Sequence, residues 1–164
     1  MLYLFFHLTR TLIYSTFFLV APNRLTAPEN KELFESFGVM DAKECDARAI
    51  VLHDHYFGTV EMEALTLIDM INQNIVPSVK AARVGPLGDL EATVGSIQTA
   101  LAGIHAAETS YEKAQLARVL RLETMMDIQE TCDAAKGIVP AELWTLAAYK
   151  ELLLLDSHSI DLIE

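Results

Sequence analysis

The chain has 164 residues, 52% of them hydrophobic and 21% charged, which suits one soluble domain large enough to bury a single core. It carries 12 Lys/Arg against 23 Asp/Glu, and ten of those cations face all 23 acids after residue 28. A body that acidic repels phosphate backbones and anionic headgroups, which argues against nucleic-acid binding. Cys45 and Cys132 alone make no metal cluster, and both read as small apolar thiols of a reduced, intracellular setting.

Residues 1–20 (MLYLFFHLTRTLIYSTFFLV) hold fourteen apolar or aromatic positions and form an expected apolar N-terminal helix, long enough to just span a bilayer. Arg10 at its midpoint costs about 2.5–3.5 kcal/mol on insertion scales, and the stretch lacks the basic start of a signal peptide. The expectation is an extension foreign to the domain behind it, with membrane association open only through residues 1–20.

Residues 21–27 (APNRLTA) read as a linker. Thr26 and Glu29 have capping-box spacing and Pro28 suits a first turn, predicting a helix to Phe37 that Gly38 closes. Asp41 and Glu44 repeat the start signal for a helix from Ala42 to Phe57, which Gly58 weakens or interrupts. From Val60 to Ala82, residues Ala64, Leu67, Ile68, Ile71, Ile75 and Ala82 share one helical face. Pro77 should kink or end that helix near Val76. Residues 84–89 (VGPLGD) read as a turn. Leu90, Val94, Ile97, Leu101 and Ile104 then step by four and three, an apolar seam of the kind antiparallel helices bury. After a weak boundary at Thr109 and Ser110, a long helix covers residues 111–136. Its expected stripes are Val119, Leu122 and Met126 beside Met125, Ile128 and Cys132, and Gly137 ends it. Pro140 opens a last segment in which Trp144 and Leu152–Leu155 pack down. Phe34, Phe37, Met125 and Met126 are assigned to the core. No stretch alternates with period two, so the fold class is all-α: an antiparallel helical bundle with a long Pro-kinked helix.

A search for chemistry finds no assignable site. His53 and His55 flank Asp54, but residues two apart on a helix point about 200° from each other, so both imidazoles do not grip one ion. The expectation is a helix surface with one histidine tucked beside Tyr56. His105 reads as a satisfied boundary residue and His158 as part of a polar tail. Glu61 and Glu63, and the acids Asp127, Glu130 and Asp133, read as solvated rather than as paired catalytic carboxylates. No catalytic, cofactor-binding or metal residue is assigned.

Three stretches together resemble the type III glutamine synthetases, in the part that follows their catalytic domain. LFESFGVMDAKECDAR (Leu33–Arg48) has the family's short helix, Gly-Val turn and acid-capped helix. EALTLIDMINQNIVPSV (Glu63–Val79) has its Glu-Ala-Leu-Thr helix running to an Ile-x-Pro kink. Leu122–Leu154, with CDAAKGIVPAELW and YKELLLL, is similar to its closing elements. Two departures stand out. Leu143-Trp144 continues as Thr145-Leu146-Ala147 where many members have Leu-Trp-Pro-Leu-Pro, and residues 82–112 carry little of the pattern.

The resemblance implies a domain at 25–156, with residues 1–24 an apolar extension and linker outside the family pattern and 157–164 a polar tail. It implies a piece of an enzyme that joins ammonia to glutamate with ATP and magnesium, here without the catalytic body. The expected role is a non-catalytic structural and assembly module that self-associates or docks to glutamine synthetase subunits, inactive alone and without a cofactor of its own. The alternative is a membrane-tethered acidic helical adaptor.

Overall fold

The computed structural model describes residues 19–147, and every regular element among them is helical. The expectations for residues 1–18, for Leu152–Leu155 and for His158 lie outside the described residues.

The bundle opens on a helical stretch at 19–25, where residues 21–27 read as a linker. Leu19 and Pro22 are buried there, and burial of apolar surface outweighs the poor local propensity. Helix α1 (Pro28–Ser36) starts on Ala27, not Thr26, whose hydroxyl instead donates to the Asn23 carbonyl at 3.0 Å. Gly38 closes α1 at φ 64, the left-handed conformation that a side chain disfavours. Phe37, assigned to the core, is 74% exposed at this corner.

Helix α2 (Ala42–Met70) begins with the expected capping box. The Glu44 amide donates to Asp41 Oδ1 at 2.7 Å, and the Asp41 amide to Glu44 Oε2 at 2.8 Å. The helix passes through Gly58 without a break, because the buried residues Tyr56, Val60 and Ala64 on either side hold it to the core. It leads into a π-helical turn (Ile71–Ile75) and then α3 (Val76–Ala82). Pro77 has no amide to give and its ring crowds the carbonyl four residues back. The widened turn, in which the Val76 amide reaches the Ile71 carbonyl, lets the helix continue past the proline. It stops instead at Arg83, which is left-handed at φ 54. Gly85 follows at φ 111, where an added Cβ would lie 3.3 Å from a Val79 methyl.

Helix α4 (Leu87–Ala106) starts earlier than expected, so the turn is confined to residues 84–86. Its seam is as predicted: Leu90, Ile97, Leu101 and Ile104 are buried and Val94 packs against them. Thr109 and Glu112 then form a second capping box that opens α5 (Ser110–Val119). A π-helical turn (Leu120–Thr124) carries it into α6 (Met125–Ile138), followed by one 3₁₀ turn (Ala141–Leu143). The core-facing residues here are Ala114, Ala117, Leu120, Ile128 and Ala135. Of the two expected stripes, the one holding Met125, Ile128 and Cys132 packs inward, whereas Val119 and Met126 are exposed. The reason is steric. Ala114 and Ala117 let α5 approach closely, and close packing selects that face over one with larger side chains.

Cross-helix pairs fix the directions. Lys80 reaches Glu91 and Glu61 reaches His105, so α4 runs back along the α2–α3 helix. His53 meets Tyr111 and Glu63 meets Arg121, so α5 returns parallel to α2. Consecutive long helices are thus antiparallel, with one core among them that also takes in Leu19, Val139 and, partly buried, Trp144. Each fully buried Leu or Ile contributes about 1.5–3 kcal/mol.

Candidate functional site: the two faces of the long helix

Helix α2 presents a polar seam inward and an apolar stripe outward. On the inner face, His53 is 3% exposed and its ring lies 5.4 Å from that of Tyr111. Buried Nε2 of His53 and buried Nε of Arg118 have no hydrogen-bond partner among the described residues. His55 and Asp54 are exposed, which separates the two imidazoles as the helical period requires. The partner ring is Tyr111 of α5, a contact that no local spacing announces.

One turn on, Tyr56 is buried, and burial pushes its phenol above the usual value. Arg121 opposes that shift by charge and by a side-chain hydrogen bond, and Arg118 by charge. Arg121 also donates to Glu63 Oε1 at 3.1 Å. Glu61 turns to the other neighbour, with His105 Nε2 2.8 Å from its Oε1 and the His105 ring edge-on to Phe57 at 5.8 Å. Lys113 sits 6.0 Å from the same Phe57 ring.

Glu61 and Glu63 are therefore bridging groups, each engaged by a side chain of a different helix, where solvated carboxylates were expected. Asp127, Glu130 and Asp133 are exposed. His105 is satisfied, as expected of a boundary residue. Among the described residues no three His, Cys, Asp or Glu side chains come together as a metal site, and no helix is long and apolar enough to cross a membrane. Cys45 is fully buried and Cys132 half-buried, both as free thiols. Burial, with the charge of Asp133, raises the Cys132 thiol above its ordinary range.

On the outer face, Val51 is 64%, Met62 68% and Leu65 49% exposed. With His55 and Gly58 they step by four, three, four and three along the side opposite the core. Such a stripe marks a contact surface more often than isolated exposed residues do.

No curated protein matches the chain. The family model for the glutamine synthetase C-terminal domain matches residues 9–84. That span opens inside the segment read as lying outside the family pattern, and it takes in the first two resembling stretches but not the third. From residue 9 through the whole of α3, the chain is thus similar to a glutamine synthetase C-terminal region.

Proposed function

We propose that this chain is a non-catalytic helical module of a type III glutamine synthetase, serving assembly rather than turnover. The observation that carries the reading is the match of residues 9–84 to the glutamine synthetase C-terminal domain. The type III assignment draws on the three resembling stretches, which keep their order along one chain. The assembly role draws on the outer apolar stripe of α2 and on the ionisable groups of the inner seam. Glu61 and Glu63 are each held by a base of another helix, so the two acids do not form the open carboxylate pair that a magnesium–nucleotide complex requires. In this reading the chain takes no cofactor of its own, acts inside the cell and meets glutamine synthetase subunits or itself.

The test is to purify the full chain and to co-express it with a glutamine synthetase catalytic domain. The expected result is co-elution of the two, with no glutamine formed from glutamate, ammonia and ATP by the chain alone. Turnover by the isolated chain, or its failure to co-elute, overturns the reading.

A further inference from the structure

The outer face of α2 has the pattern of a helix built to pair with itself. Val51, Gly58, Met62 and Leu65 lie on the side away from the core, bracketed by exposed Arg48 and Asp69. Neither Arg48 nor Asp69 has an ion-pair partner among the described residues. Positions 48, 51, 55, 58, 62, 65 and 69 alternate steps of three and four, the seam spacing of two long helices packed side by side. Val51 and Leu65 lie seven residues either side of Gly58, and the pairs His55/Met62 and Arg48/Asp69 come within one residue of the same symmetry.

We propose that the partner of this face is a second copy of the chain, with the two α2 helices antiparallel about a two-fold axis at Gly58. The proposal rests on the assembly reading and names its partner. A two-fold there sets Val51 level with Leu65 of the second copy and His55 within one residue, about 1.5 Å of rise, of its Met62. It also brings Arg48 within one residue of Asp69 at both ends, in reach of an ion pair, and an isologous interface repeats that contact twice. The parallel alternative stacks Arg48 on Arg48 and Asp69 on Asp69, and like-charge contact disfavours it.

Gly58 at the crossing point is compatible with that pairing. A mid-helix glycine costs about 1 kcal/mol relative to alanine. An added Cβ at Gly58 would meet nothing within 4 Å inside the monomer, as at Gly88, Gly95, Gly103 and Gly137, so packing inside the fold does not require glycine there. A crossing point where two backbones approach closely accommodates one.

The test is sedimentation velocity of the full chain across the micromolar range, on the wild type, Arg48→Asp, Asp69→Arg and the double swap. The expected result is a wild-type dimer that either single reversal weakens by about tenfold or more and that the double swap restores. Circular dichroism on each variant establishes that the fold is kept. A short bis-maleimide should join Val51→Cys to Leu65→Cys in a mixture, while Val51→Cys alone stays uncoupled. A concentration-independent monomer, a dimer indifferent to the reversals, or efficient coupling of Val51→Cys to itself overturns the proposal. A monomer that still co-elutes with the catalytic domain overturns the self-pairing alone and leaves the assembly reading standing.

Discussion

Arg121 donates to Glu63 across 3.1 Å, linking the π-helical turn after α5 to the second half of α2 although the two residues are 58 positions apart. The same guanidinium bonds the buried Tyr56 phenol, so one cation serves two acceptors between helices. Arg121→Met should destabilise the chain by about 1–2 kcal/mol, since hydrogen bonds to charged groups are worth more than neutral ones but this pair is partly exposed. In a double-mutant cycle with Glu63→Gln, the coupling should fall near 1 kcal/mol. Urea unfolding checks it, and strict additivity would make the contact energetically silent.

Leu101 and Val119 test which faces are core. Leu101 is buried in the α4 seam, so Leu101→Ala should cost about 2–5 kcal/mol. Val119 is 42% exposed, so Val119→Ala should fall within about 0.5 kcal/mol of wild type. Comparable losses at both positions would contradict the packing of α5.

The two capping boxes give a second pair. Asp41→Ala and Thr109→Ala each remove the acceptor for an amide three residues on. Each should lower stability by about 1 kcal/mol, while Thr26→Ala, which caps no helix, should be nearly neutral. Thermal melting of the three variants side by side decides this.

Tyr56 predicts an alkaline effect. Burial holds its folded pKa above the ordinary value of a free tyrosine, so the folded state keeps the phenolic proton more tightly than the unfolded chain. That contribution is fully present below the unfolded value and is lost as pH rises above it toward the folded value. Melting temperature should fall more steeply in strong alkali for the wild type than for Tyr56→Phe, and parallel curves would refute it. Near pH 9 the raised Cys132 thiol loses stability in the same direction, so a Cys132→Ser background isolates the tyrosine.

Much of the fold was legible in local chemistry. Asp41 and Glu44 announce their helix because a capping box needs only side chains three residues apart, and Gly38 announces its turn because only the backbone conformation matters there. The α4 seam was legible because every position repeats with the helical period. The stripe of α5 was not. Local reading weights Val119 and Met126 by their size, while the face chosen is the one whose alanines allow close contact with α2. The run of the long helix to Ala82 was legible from its apolar face, but the manner of passing Pro77 was not: the cost of the proline is local, and the π-helical turn that absorbs it persists because Ile71, Ile75 and Val79 are buried on the bundle side.

The inner seam was the least legible part. His53 and His55 differ in environment by their angle on α2, which the sequence supplies. That Tyr111 faces His53, that Arg121 reaches Glu63, and that Glu61 and Glu63 point to different helices follows from how three helices pack.

The order of residues alone determined that this chain is helical and acidic and where most of its helices begin, because these depend on neighbours within one or two turns. Only the tertiary structure decided which stripes are buried and which partner each charged group finds. Those choices minimise exposed apolar area and unpaired charge over the whole bundle, a sum that no local window contains.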